Sequence, residues 1–504
     1  MTEGSEQFSK LRAFFWPVHR FELKKLVPML LIFFLLTFDY NVLHCLKDTI
    51  IITAEHSGAE VIPFIKVWVM FPLSVAVAYL YVRLSNRFSR ESVFYIVLSF
   101  FLSYFAIFAF LLYPNRDALH CHDTADKLQT LLPAGCKGFI AMYRYWIYTL
   151  FYALADLWSN IIVALLAWGF ANQVTKLNEA RRFYGIFGLG INFSGIAAGQ
   201  ISIFITLLPF NASFGLGDDA WGQSMTMLIC LIILAGLITM LAFRWLHTQV
   251  LHGEMAEERA NNPEPVEKKK HSMRENMRYV MRSSYVLSIA LIIIAYNIVI
   301  NLVEVLWKHE VRELYPAPQD YNIFMNEVTT VIGVMATLMS LFVTGNLLRK
   351  CGWTFTALVT PVILLLTSVG FFGFFFFKDH PQLVLSLFGA SPLYLVVFFG
   401  TLQNCCSRAC KYTVFDATKE MAFIPLTNEE KIKGKAAVDG ICNRLGKSSG
   451  SVIYQFLLLA FASIPASAPY VGLFLLVIIG LWILAVRVLG TKFNALENLE
   501  PTLA

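Results

Sequence analysis

The sequence predicts an all-α polytopic membrane protein of about twelve transmembrane helices, and three observations carry that expectation. First, of its 504 residues 57% are hydrophobic and only 15% charged. That is more apolar surface than a soluble core can hide, so the bilayer must serve as part of the solvent. Second, the apolar residues are gathered into long runs, such as Val27 to Ile52, Val93 to Tyr113, Met225 to Phe243, Ser288 to Trp307 and Val471 to Val488. At about 1.5 Å per residue each can cross about 30 Å of hydrocarbon. Third, the runs are continuously apolar and do not alternate with period two, which argues for helices and against a barrel.

Taken in order, spans are expected near 27–52, 61–82, 93–113, 139–172, 184–208, 223–243, 283–307, 323–347, 354–377, 388–410, 436–462 and 470–486. The first follows the polar stretch Met1 to Leu26, carries internal charge and has no small-residue cleavage pattern, so it reads as a retained helix and not a signal peptide. An even number of spans puts both termini on one side. The tails and loops of that side hold 28 Lys and Arg against 6 in the opposite loops, which makes both termini cytoplasmic.

The chain then divides into a cytoplasmic tail (1–26), a six-helix half (27–243), a cytoplasmic linker (244–282), a second six-helix half (283–486) and a cytoplasmic tail (487–504). The linker contains Asn261, Asn262, Pro263, Glu264 and Pro265 followed by Lys268, Lys269 and Lys270. It reads as a solvated tether, with contact between its basic run and anionic headgroups as the alternative.

Nine cysteines form no metal pattern: Cys405, Cys406 and Cys410 sit in an apolar span without a histidine cluster. Cys121 and Cys136 share the one long hydrophilic loop expected outside, where an oxidising compartment would let them pair; a disulfide and two free thiols are both open. No cofactor is expected.

Laying the second half on the first gives ordered matches: Tyr40-Asn41 with Tyr296-Asn297, Asn86 with Asn346, Asn178-Glu179 with Asn428-Glu429, and Gly190-Ile191 with Gly440-Ile441. Their shared order is the evidence. Two pseudo-symmetric six-helix halves with a substrate site between them is the major-facilitator-like arrangement.

Six basic residues remain inside the expected spans: Lys47, Lys66, Arg144, Arg408, Arg444 and Lys447. A cation at membrane depth is costly unless it faces a wet cavity or a partner, so these are the functional candidates. Lys66, near a span end, reads as a snorkelling residue. For Arg408, with Lys411 close by, a headgroup or gating role competes. Arg444 and Lys447 share one helical face beside Gly446, Ser448, Ser449 and Gly450, where either a bulky ligand or a neighbouring helix can approach closely.

The acids within spans are Asp39, Asp48, Asp156, Glu304 and Asp439. Under the repeat, Leu46-Lys47-Asp48 overlays Leu302-Val303-Glu304, so the lysine exists in the first half alone, which suggests a ligand for it. Phosphates suit Arg as forks and Lys as point charges. Tyr40, Tyr143, Tyr145, Trp146 and Tyr148 are available to stack a base, with packing as the alternative for each. Gly446-Lys447-Ser448 is no Walker lysine, because Gly440 is one residue too far and no strand precedes it. An ATPase is therefore not expected.

Several of these segments resemble the ATP/ADP translocase (nucleotide transporter) family of obligate intracellular bacteria and plastids. They are Leu46-Lys47-Asp48-Thr49, Trp168 to Gln173 followed by Glu179 to Tyr184, Asn301-Leu302-Val303-Glu304, Lys411-Tyr412 through Phe415 to Ala422, Gly434 to Ala437, and Arg444 to Ser448. The resemblance implies import of host nucleotides, with substrate-handling charges at Lys47, Asp156, Glu304 and Lys447. The family's A-E-L-W-G context stands here as Ala155-Asp156-Leu157-Trp158-Ser159.

The expectation is thus a carrier of ATP or other nucleoside triphosphates, exchanging them for ADP or another nucleotide across a bacterial inner membrane. Lys47, Arg144, Arg444 and Lys447 would hold phosphate while Asp156 and Glu304 balance charge in the empty state. Asp48, Glu304 and Lys411 are candidates for a proton-carrying or gating role. Proton-coupled net import is the alternative, with phosphate or a proton as further partners; a nucleic-acid partner is not expected.

Overall fold

The computed structural model describes residues 18–19, 22–175, 177–251, 281–378, 381–427, 430–431, 434–435 and 438–497. The linker stretch from Asn261 to Lys270, most of the N-terminal tail and residues 498–504 lie outside these, as do the side chains of Arg181, Arg182 and Asp439. Among the described residues the regular structure is helical throughout.

The main helices are α1 (Leu23–Ile52), α2 (Val61–Arg87), α3 (Arg90–Leu112), the short α4 (His122–Leu131) and α5 (Lys137–Arg144), α6 (Trp146–Asn172), α7 (Leu177–Thr206), α8 (Ala220–Val250), α9 (Ser284–Leu314), α10 (Pro318–Val343), α11 (Lys350–Phe376), α12 (Pro392–Cys410), α13 (Asn443–Phe461) and α14 (Ile464–Glu497). Ten of the described helices are long and apolar enough to cross a membrane. The spans expected near 388–410 and 436–462 are helical too, as α12 and α13. They fall short on polarity: α12 carries Gln403, Asn404, Ser407 and Arg408, and α13 carries Arg444, Lys447 and three serines.

By contacts the chain forms two compact units. The first comprises Met1–His44, Val82–Pro114 and Leu154–Glu267. Its core is aromatic and hydrogen-bonded: Trp158 donates from Nε1 to the Leu36 carbonyl at 2.9 Å, and Phe94 stacks on Phe243 with centroids 4.0 Å apart. Ser194 donates to Thr37 Oγ1 at 2.8 Å, tying α7 to α1, and Lys25 pairs with Glu179 at 3.0 Å.

The second unit comprises Cys45–Tyr81, Asn115–Ala153 and Lys268–Ala504. It therefore holds the end of α1, the start of α2 and the start of α6 together with the described helices of the second half. Here α9 is central, packing on α12, α13 and α14, while α11 packs on α12 and α14. Glycines set one of these contacts: a Cβ on Gly446 or Gly450 would press on α9 at Ile294 and Asn297, or at Ile298 and Asn301. The start of α2 lies against α5, where a Cβ on Gly138 would strike the carbonyl of Glu60. Cys121 and Cys136 are both free thiols and form no disulfide.

Candidate functional site

The chemistry of the second unit is concentrated on one stripe of α9. Asn297, Asn301, Glu304, Lys308 and Arg312 recur at intervals of four, three, four and four residues, which places them on one face of a helix that is mostly apolar as far as Trp307. The helix continues to Leu314, beyond the apolar run that ends at Trp307, so Lys308 is part of it and its side chain is only 1% exposed.

Around this stripe the structure assembles a charge cluster. Lys308 Nζ donates to Asp48 Oδ2 and to Glu304 Oε1, each at 2.8 Å. Arg408, from α12, donates to the same Glu304 oxygen at 3.2 Å. Lys66, from α2, lies 3.6 Å from the other Glu304 oxygen and donates to Asn301 Oδ1 at 2.6 Å. Lys47 lies 3.5 Å from Asp48 Oδ1, with its ammonium 3.8 Å from the centre of the Tyr152 ring.

Four cations thus surround two carboxylates, and Asp48, Lys47 and Lys308 have side chains at most 2% exposed. Burying such charges costs several kcal/mol per ion unless each is paired, and Lys and Arg gathered on shared carboxylate oxygens are the groups that can hold phosphate oxygens, as point charges and as a fork. Beside it, Gln403, Asn404, Ser407 and Arg408 line a small cleft together with Ile300, Val303, Glu304 and Leu364.

Of the residues expected from sequence, Lys47, Asp48 and Glu304 therefore meet in one cluster. Lys66 and Arg408, expected near span ends, join them on Glu304. Arg144 does not: it is buried at the end of α5, where it donates to Asp126 at 2.5 Å and Gln129 at 3.3 Å on α4. Arg444 and Lys447 are exposed on α13, opposite in role to the glycines that press on α9. The packing reading of that helix holds on the face of Gly446 and Gly450. Asp156 is half-buried on α6 in the first unit. Lys411 lies 3.5 Å from Asp416, over the Tyr412 ring. Tyr145 and Tyr148 stack on each other and pack edge-on against His120, so they serve local packing.

Sequence reasoning missed Lys308, which it counted as a loop charge because the apolar run stops one residue earlier. The signal was present: Glu304 and Lys308 have ion-pair spacing on a helix, in register with Asn297 and Asn301. Tyr152, the platform under Lys47, was missed as well.

Outside the spans, charge is tuned in the α4–α5 segment. The Arg144 hydrogen bond holds the Asp126 carboxyl below the usual carboxylate range. Burial pushes the His120 imidazole down to about 4, and His122 adds to the effect.

Comparison with known proteins places this site in context. Residues 1–493 match the profile of the family described as TLC ATP/ADP transporter. The chain belongs to that family. Among similar TLC relatives, ADP,ATP carrier protein 1 of Chlamydia pneumoniae is 44% identical over 507 residues, covering 99% of this chain and 97% of the relative. The chloroplastic ADP,ATP carrier protein 1 of Arabidopsis thaliana is 40% identical, covering 95% of this chain and 75% of the relative. In fold the chain is similar to a D-xylose-proton symporter of known crystal structure, with a TM-score of 0.52 at 15% identity, covering 94% of this chain and 97% of the other. That likeness bears out a major-facilitator-like, multi-pass helical architecture and says nothing of protons or substrate. As a TLC family member the protein is a membrane transporter, and the names of its relatives support nucleotide exchange; they give no support to proton-coupled import.

Proposed function

We propose that this TLC family protein imports ATP, or other nucleoside triphosphates, across a bacterial inner membrane in exchange for ADP, with both termini in the cytoplasm. It does so as a carrier that leaves the phosphoanhydride bonds intact. The observation that carries this reading is the cluster of Lys47, Lys66, Lys308 and Arg408 around Asp48 and Glu304 within the apolar helices, with Lys47, Asp48 and Lys308 buried and Lys66 and Arg408 part-exposed. It is supported by relatives named as ADP,ATP carriers along nearly the whole chain.

In this reading Lys66 and Arg408 are drawn onto the phosphates, Lys47 contacts them without leaving Asp48 on its own helix, and the two acids compensate cations when the site is empty. Arg444 and Lys447, exposed on α13, supply further phosphate contacts, and Asp156 a further balancing charge. Arg144, held by Asp126 and Gln129, acts on the architecture of the α4–α5 segment. Intact cells expressing the chain are expected to accumulate labelled ATP, with unlabelled ADP competing and no phosphate released. Absence of uptake, or release of phosphate by purified protein, contradicts the proposal.

A further inference from the structure

The same cluster contains a second device, carried by Lys308. Its ammonium is shared between a carboxylate on α1 and a carboxylate on its own helix, at equal distances of 2.8 Å. The bond to Glu304 spans one turn of α9 and survives any movement of that helix. The bond to Asp48 joins α9 to α1 and must break if the two helices separate. Other bonds gather at this end of α1: Thr49 Oγ1 lies 3.4 Å from Asn322 Oδ1, Cys45 Sγ lies 3.3 Å from Thr329 Oγ1, and Arg312 donates to the carbonyls of Ser57 and Ala54. Among these, Asp48–Lys308 is the one formed by two full charges buried at 0% and 1% exposure.

We propose that Lys308 is a positioning residue that latches α1 to α9 in the absence of substrate and lets go when a polyphosphate is bound. Glu304 is the switch. With no phosphate present it is engaged by Arg408 and Lys66 as well as by Lys308, so Lys308 needs Asp48 to be fully compensated. A polyphosphate draws Arg408 and Lys66 away. Glu304 then compensates Lys308 within α9, while Asp48 keeps Lys47 beside it. Both buried groups stay paired on their own helices, and α1 can part from α9 without stranding a charge. Without a polyanion the same motion exposes uncompensated buried charge, so an empty carrier stays shut at this end. Tight coupling of outward to inward movement follows from that difference.

The inference rests on the nucleotide-exchange reading, and one experiment separates the two. Proteoliposomes are loaded with labelled ADP and diluted into medium with or without ATP, and the ratio of the two efflux rates is read. For the wild type ATP is expected to raise efflux about tenfold or more. Asp48→Asn is expected to bring that ratio to within about threefold of unity, by raising efflux into nucleotide-free medium, since a weakened latch shifts the equilibrium by roughly one charge-assisted hydrogen bond. Lys308→Gln is expected to do the same, whereas Lys308→Arg, which keeps the charge, retains a high ratio. A merely structural role would lower both rates together and leave the ratio alone. If the wild type shows no stimulation by ATP, the exchange reading itself fails. If the wild type is stimulated and the Asp48→Asn and Lys308→Gln ratios match it, the latch alone is overturned.

Discussion

At the scale of residues, function is a matter of which charges are compensated by which. Removing one partner of a buried ion pair is costly because the other is stranded; roughly 3–5 kcal/mol is typical. Lys308→Ala is therefore expected to lower thermal stability in detergent markedly, and Asp48→Asn introduced with it to restore part of the loss, because Asp48 is then no longer a buried anion facing a vanished lysine. Lys47→Gln has a different signature. Lys47 sits on the Tyr152 ring and on Asp48, and losing a charge-assisted contact to phosphate is expected to weaken nucleotide binding by about 1.5–3 kcal/mol, or ten- to hundredfold. A raised KM with the protein still inserted is the expected readout; an unchanged KM removes Lys47 from the site. Part of this was legible in the sequence: Lys47, Asp48 and Glu304 stood out because charges at membrane depth need a reason. Lys308 did not, because span limits were drawn where hydropathy fell, and a charged residue at the edge of an apolar run looks like a loop. Only the extension of α9 to Leu314 buries it.

At the scale of elements, close packing and local electrostatics make separate predictions. Gly446 and Gly450 sit one turn apart against α9, and an added methyl there is expected to cost about 1–3 kcal/mol by overpacking. Gly446→Ala should lower the melting temperature, with a milder effect from a serine-to-alanine change at half-buried Ser449. In the first unit Trp158 is fully buried and hydrogen-bonded to Leu36, so Trp158→Ala is expected to cost about 3–5 kcal/mol, read as the same kind of shift. The glycines of α13 were legible as a small-residue face, yet sequence alone left packing and ligand approach as rivals; the structure puts Gly446 and Gly450 to packing on α9.

The α4–α5 segment should respond to pH. His120 folded titrates at about 4 because burial against Tyr145 and Tyr148 disfavours its charged form. A histidine with a lowered folded value contributes stability that is present above its unfolded value and is lost as pH falls from about 6.5 toward 4. Asp126, held low by Arg144, adds a loss in the same direction at more acid pH. Backbone hydrogen exchange in residues 115–144, corrected for its intrinsic pH dependence, is expected to quicken across that window, and His120→Leu to remove the upper part of the effect. A flat profile in the wild type contradicts it.

At the scale of the whole molecule, the helical architecture was the easiest part to read, because a bilayer leaves few options for the backbone. Long apolar runs gave most helices. The two most polar ones, α12 and α13, were found from the same runs although their composition is marginal for a span, and their polarity comes from Arg408, Arg444, Lys447 and their neighbours. What sequence could not supply was partnership: that Arg144 belongs to Asp126 and Gln129, while Lys66 and Arg408 share Glu304, depends on packing between distant segments. The central claim is that these charges move a nucleotide in exchange for another. Its most direct test is uptake of labelled ATP by proteoliposomes containing the purified protein, preloaded with ADP or left empty. The account predicts rapid uptake in the preloaded vesicles and little in the empty ones; equal uptake in both, or none in either, would contradict it.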